Sequence, residues 1–240
     1  CAVGNAIVDV LSPCTPEFLT DKGLEPGSMR LVDETESATL YEAMAAGVEA
    51  SGGSAGNTVA GIGSLGGRAA YIGKVADDQL GGVFAHDIRA AGVTFDTPAL
   101  TGGAGTGRCL INVTPDGQRT MCTFLGAANQ LAPEDLDLAQ VADSAIVYLE
   151  GYLFDPAPAR AAFEAAAAAA HKAGRKVAIT LSDTFVVARW RSELLAFLDG
   201  STDIVFANEA EACALFETDD VEAATRALAE KVEVVAVTHG

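Results

Sequence analysis

The stretch SGGSAGNTVAGIGSLGG, Ser51 to Gly67, holds seven glycines in seventeen positions and one amide, Asn57, in their midst. Backbone that bare serves two kinds of site: a turn that cradles a dinucleotide, and a loop against which a small polyol lies. The second half, Gly61-Ile62-Gly63-Ser64-Leu65-Gly66, matches G-x-G-x-x-G, and Asp87 stands 21 residues after Gly66, near the distance expected of a ribose-binding acid. Its context opposes that reading. A dinucleotide fingerprint follows a strand and opens a helix, so that pyrophosphate meets free N–H groups. Here the glycines close a helix that begins near Ala55, and Asp87 lies in FAHDIRAAG, itself helical in pattern. A Walker A loop is absent too, since Gly73-Lys74 is followed by Val75 and Arg68 stands where the first glycine belongs.

The first half points to the polyol. In Gly52-Gly53-Ser54-Ala55-Gly56-Asn57, paired glycines leave room for a ligand, and the Asn carboxamide offers a donor and an acceptor together, as a vicinal diol requires. Asn5 and Asp9 in GNAIVDV add two polar groups to an otherwise apolar segment, read as the end of the first strand, and ligands bind at C-terminal strand ends of parallel sheets. The competing reading, buried Asn and Asp that merely cap turns, stays open at this point.

Bulk properties narrow the partners. A chain of 240 residues can bury a full core, and 50% hydrophobic residues with only 6% aromatic suit close helix-on-sheet packing. The formal charge of -18 repels polyphosphate, and no Lys/Arg cluster outweighs it, which argues against nucleic acid and an anionic membrane as partners. Cys1, Cys14, Cys109, Cys122 and Cys213 are odd in number and form no C-x-x-C pair, so a reducing cytoplasm is expected and structural zinc is disfavoured. No apolar run is long enough to span a bilayer, and no charged leader precedes one. The chain opens inside a strand without Met, so residues are expected before Cys1.

Periodicity alternates strand and helix. Apolar runs near Cys1–Val10, Ala69–Gly73, Ala145–Glu150, Lys176–Leu181, Asp203–Ala207 and Glu233–Thr238 read as buried strands. Helical stretches are expected over Glu36–Ala50, Ala55–Leu65, Gln79–Ala91, Pro156–Ala173, Arg189–Leu198, Glu209–Phe216 and Val221–Lys231. Together they predict an α/β fold with a mainly parallel sheet covered on both faces. Two segments depart from this pattern: Gly107–Thr114 and Gln118–Leu125 flank Thr114-Pro115-Asp116-Gly117, a tight-turn sequence. This hairpin, with Ser28–Val32 as a third strand, suggests a small antiparallel sheet, either a lid over a site or an edge decoration.

GNAIVDV, then GGSAGNTVAGIGSLGG, then YIGKVADDQLGGVFAHDIRAAGV resembles the amino-terminal signature of the ribokinase (PfkB) family of carbohydrate and nucleoside kinases, and most closely its adenosine-kinase-like branch. The resemblance extends through Leu131-Ala-Pro-Glu-Asp and through Asn208-Glu209-Ala210-Glu211, which fits the family's N-x-x-E motif. It implies a three-layer α/β/α ribokinase-like fold with a mainly parallel central sheet and a small antiparallel β lid, the lid falling near residues 11–35 and 101–126 of a single, incomplete domain. It implies ATP and Mg2+, with transfer of phosphate to a hydroxymethyl group of a nucleoside (adenosine) or sugar, by a monomer or homodimer. Asn5, Asp9, Gly53 and Asn57 would hold the acceptor's hydroxyls. Asn208, Thr238 and Gly240 would meet the nucleotide, and Glu211 with Asn208 would organise magnesium through water. The alternative for Asn208 and Glu211 is a helix capping box. The family's G-A-G-D turn, which carries the catalytic base, is expected beyond residue 240, so no base is assigned, Asp183 at a strand end included. A ribokinase- or fructokinase-type sugar kinase and a non-catalytic binding domain remain the alternatives.

Overall fold

A computed structural model describes residues 1–239. Its strands, in chain order, are β1 (Ala2–Val3), β2 (Ile7–Pro13), β3 (Met29–Leu31), β4 (Val48–Gly52), β5 (Ala69–Ile72), β6 (Val93–Thr94), β7 (Gly107–Val113), β8 (Arg119–Phe124), β9 (Ile146–Glu150), β10 (Lys176–Thr180), β11 (Ile204–Asn208) and β12 (Val234–Thr238). The residues group into two units, one of residues 1–4, 69–72 and 131–240, the other of residues 5–68 and 73–130.

The first unit is built on a parallel sheet in the order β12-β11-β10-β9-β1-β5. Its strands read as unbroken apolar runs because both faces are covered by helices. Val147 and Leu149 of β9 stand beside Val177 and Ile179 of β10, all buried. Helix Ala157–Lys172 turns Ala159, Ala162, Phe163, Ala166, Ala167 and Ala170 inward, the spacing of one helix face. Its alanines let the backbone lie close to the sheet, and Phe163 fills the remaining space, edge-on to Phe154 at 5.9 Å. This is the flanked parallel sheet of the expected three-layer α/β/α fold. The helix expected over Arg189–Leu198 is Arg191–Ser201, and a further helix, Thr184–Arg189, precedes it. Trp190 interrupts them where its indole N–H donates to Asp155 Oδ1 at 2.6 Å and the Arg160 guanidinium covers its ring.

The second unit carries a five-stranded sheet in the order β3-β8-β7-β2-β4. The expected hairpin is its β7–β8 pair, and Met29–Leu31 is the expected third strand. The sheet is mixed rather than antiparallel throughout, because β2 runs parallel to β7 and β3 parallel to β8. The strand expected over Cys1–Val10 is two strands in different sheets: β1 lies in the parallel sheet and β2 in the mixed one. Asn5 sits in the break, and Asp9 lies within β2 instead of at the end of a parallel-sheet strand. The helix expected over Glu36–Ala50 is Glu34–Ala43, ending at the extended residue Met44, and Val48–Gly52 is β4. Pairing with β2 satisfies the backbone of Val48–Gly52 and overrides its weak local preference.

Pairing register assigns the side chains to the two faces of this sheet. Val8, Val10, Leu110 and Cys122 are buried on one face. On the other, Val48, Leu11, Ile111, Met121 and Met29 form one continuous row across all five strands. The next row reads Ala50, Asp9, Cys109, Thr123 and Leu31. Val48 at 67% and Leu31 at 57% exposure leave much of this apolar face uncovered.

Candidate functional site

Asp9 is the sole charged residue of those two rows. Burial pushes its carboxyl up to about 6. A carboxylate withdrawn from water without a compensating partner costs folding energy, and such groups gather at functional sites. Room for it comes from Gly52: a Cβ there would stand 2.2 Å from Asp9 Cγ and 2.4 Å from either oxygen. Gly53, at φ 82, N-caps helix Ser54–Ser64 without a side chain, and a Cβ on it would stand 2.4 Å from the Asn5 carbonyl oxygen. The paired glycines are therefore bare because the protein's own groups lie against them, a more specific reason than open room for a ligand. Asn5 is buried. Asn57 is exposed in the first turns of the helix, its N–H donating to the Gly53 carbonyl at 2.9 Å.

The second unit therefore brings Asn5, Asp9 and Gly53 together about the β2–β4 pair, with Asn57 four residues along the helix that Gly53 starts. Cys109, beside Asp9 in register, was not singled out by sequence; burial raises its thiol to about 11, with the Asp9 charge adding to the effect. A lone acid within an apolar strand was the available signal for its neighbour, and strand pairing alone reveals Cys109.

The glycine fingerprint has a packing role. Gly61 to Gly66 close helix Ser54–Ser64, and a Cβ on Gly63 would meet the Ala91 carbonyl oxygen at 2.2 Å. Asp87 lies on helix Gln79–Ala90 and accepts from the Ser51 N–H at 3.2 Å.

In the first unit the polar candidates stand at C-terminal strand ends. Asn208 ends β11 and caps helix Glu209–Phe216: its Oδ1 accepts from Glu211 N–H at 2.8 Å. Glu211 returns the contact with both oxygens, accepting from the Asn208 backbone N–H at 3.0 Å and from its Nδ2 at 2.9 Å. The capping box is thus formed in full. Burial raises the Glu211 carboxyl, the Asn208 N–H opposes this, and the Asp183 charge adds to the rise. Asp183 caps helix Thr184–Arg189, accepting from Phe185 N–H at 2.7 Å, after Ser182 at φ 71. A non-glycine residue there is held at a cost of about 1–3 kcal/mol. Thr238 pairs with Asn208 in register, and Gly240 lies outside the described residues.

Sequence reasoning passed over Glu150, which ends β9, is 1% exposed, and raises the buried Tyr71 hydroxyl together with desolvation. Its signal was an acid at the end of the apolar run IVYLE. Among the described residues no group of three or more His, Cys, Asp or Glu side chains is gathered as a metal cage, and no helix is long and apolar enough to cross a membrane. For magnesium the donor chemistry nonetheless fits, since a hydrated ion needs few protein oxygens and Glu211 already feels a second carboxylate, Asp183.

The family described as pfkB family carbohydrate kinase matches residues 28–240. Among solved structures, the adenosine kinase from Sinorhizobium meliloti is 52% identical with a TM-score of 0.91, over 99% of this chain and 73% of that one. A probable sugar kinase from Rhizobium etli is 48% identical, also with a TM-score of 0.91, over 99% of this chain and 72% of the other. The 5-dehydro-2-deoxygluconokinase of Photobacterium profundum is 30% identical over 207 residues, 79% of this chain and 60% of its own length. The chain thus spans three-fifths of that curated relative.

Proposed function

The chain belongs to the pfkB family of carbohydrate kinases, and from that premise we propose that the protein transfers phosphate from ATP to the hydroxymethyl group of a nucleoside, adenosine foremost. The observation that carries the choice of acceptor is the placement of Asp9. It is a single carboxylate for hydroxyls, next to an apolar row from Val48 through Leu11, Ile111 and Met121 to Met29. A nucleoside has this division, with a diol at one end and a flat apolar base at the other, whereas a bare sugar presents hydroxyls on every side and leaves the apolar row wet. The likeness to the Sinorhizobium meliloti adenosine kinase supports the same reading.

In this reading Asp9, Asn5 and Asn57 bind the ribose hydroxyls, with Gly53 shaping the turn. A site with fixed polar partners rejects analogues that lack a hydroxyl. The mixed sheet, with residues 11–35 and 101–126, serves as the lid that excludes water. Asn208, Thr238 and Gly240 meet the nucleotide. Glu211, oriented by Asn208, would hold magnesium through water, and the ion would supply charge stabilisation of the phosphates when bound. Positioning and electrostatics are the protein's share of such a transfer. Five free cysteines suit a reducing cytoplasm.

A sugar acceptor is the second reading, favoured by the equal structural likeness to the Rhizobium etli probable sugar kinase. The two separate when labelled ATP and magnesium are supplied with adenosine, ribose or fructose and the products are identified. Label on the 5′-hydroxymethyl group of adenosine, at a kcat/KM about tenfold or more above either sugar, bears out the nucleoside reading. Label on fructose or ribose in preference overturns it.

A further inference from the structure

We infer that Asp87 is a positioning residue for the acceptor site, a clamp that fixes the edge strand β4 to helix Gln79–Ala90. This inference rests on the acceptor reading of Asp9 given above. β4 is the last strand of its sheet, paired on one side only, and an edge strand presents N–H groups that must find partners elsewhere. Ser51 pairs with Val8 of β2 in register, and its N–H is taken by Asp87 Oδ2 at 3.2 Å, from helix Gln79–Ala90. The other Asp87 oxygen meets His86 Nδ1 at 3.1 Å.

The bond falls at a consequential point of the chain. Ser51 is followed by Gly52, against which the Asp9 carboxylate lies, and then by Gly53, whose Cα faces the Asn5 carbonyl. Three of the proposed acceptor-binding groups therefore take their spacing from where β4 stops. Both contacts are too close to admit even a Cβ, so a shift of the strand by a fraction of an ångström changes where Asp9 can sit. The helix anchoring Asp87 is held in turn by Asp78, which caps it through Gly81 N–H and accepts from both the N–H and the hydroxyl of Thr106. A carboxylate at position 87 thus has a partner, an anchored base and a consequence for Asp9 without touching the acceptor itself.

The test compares Asp87→Leu, which removes the acceptor oxygen, with Asp87→Asn, which keeps one. Adenosine and ATP affinities are measured by calorimetry, and exchange of the Ser51 amide by NMR, in parallel with Asp9→Ala. Asp87→Leu should speed Ser51 exchange and weaken adenosine about tenfold, with ATP affinity unchanged, while Asp87→Asn recovers about half of both. Should the Leu variant fail to fold, Asp87→Asn alone should still show faster Ser51 exchange and an adenosine affinity lower by about threefold. Faster exchange with unaltered adenosine affinity overturns the clamp, as does an equal loss of adenosine and ATP. Loss of adenosine in Asp9→Ala but not in Asp87→Leu rejects the clamp and spares the acceptor site, whereas no loss in either variant rejects the acceptor reading and the clamp with it.

Discussion

Asp9 in the second unit and Glu211 in the first are both carboxylates raised by burial, and they differ in what answers them. Both Glu211 oxygens accept hydrogen bonds from Asn208, whose own side-chain oxygen accepts one from the Glu211 N–H, so that a helix start is completed. Asp9 faces a glycine Cα and apolar neighbours, and burial alone raises it. A satisfied acid is explained by the fold it stabilises. An acid whose burial works against folding is explained by what it is kept for. Removing the first should therefore harm stability, and removing the second should harm binding.

The largest effect is expected where backbone and site coincide. Gly53→Val forces a β-branched residue to φ 82 with its Cβ 2.4 Å from the Asn5 carbonyl oxygen. Strain and overpacking together should cost about 3–5 kcal/mol, read as a lowered urea midpoint with loss of adenosine binding. An unaltered midpoint would show that the turn is not held as described.

The next contrast is in pH. The Asp9 carboxyl is raised from 3.8 to about 6 in the folded protein. Between those values the folded form binds a proton that the unfolded chain has released, so the contribution of Asp9 to stability falls as pH rises, then levels off above about 6. The change amounts to about 3 kcal/mol at most, and Asp9→Asn should abolish it in urea titrations taken across this range. An identical slope in the variant would locate the effect elsewhere.

At neutral pH, Asp9→Ala should weaken adenosine by roughly 1.5–3 kcal/mol, the loss of a hydrogen bond to a charged group, with the melting temperature held or raised. Binding and stability would move in opposite directions. A lowered melting temperature with undiminished affinity would make Asp9 a structural acid like Glu211.

The smallest effect belongs to the cap. Glu211→Gln keeps an oxygen for the Asn208 backbone N–H but turns an N–H2 group toward the Asn208 Nδ2 donor, and should lower stability by about 1 kcal/mol. If Glu211 also orders magnesium, the concentration needed for half-maximal turnover should rise while adenosine affinity stays put. A stability loss with unaltered magnesium dependence would leave it a cap alone.

Much of this contrast was legible in the chain, and its limits have physical causes. Asn208 and Glu211 are three residues apart in a local motif, so both their capping and their proximity follow from sequence. Asp9 and Gly52 are distant in sequence and meet through antiparallel pairing of β2 with β4. Val48–Gly52 carries too little β preference to announce a strand, and the apolar residues on both sides of Gly4-Asn5 read as one strand, since nothing local shows that Ala2–Val3 and Ile7–Pro13 pair in different sheets. The parallel-sheet strands, apolar on both faces and bounded by polar residues, needed no such long-range knowledge. Asp87 shows the same limit: its spacing from the glycines imitates a ribose-binding acid, while its partner, Ser51, lies across the fold.

Calorimetric titration of the unmodified protein with adenosine and with fructose tests the central claim most directly, that Asp9 and the apolar row beside it form a nucleoside site. Adenosine should bind at least about tenfold more tightly than fructose, because only the nucleoside brings a flat apolar base against exposed side chains of the row near Asp9, such as Leu11, while its diol meets Asp9. Fructose binding as tightly as adenosine, or more so, would contradict it.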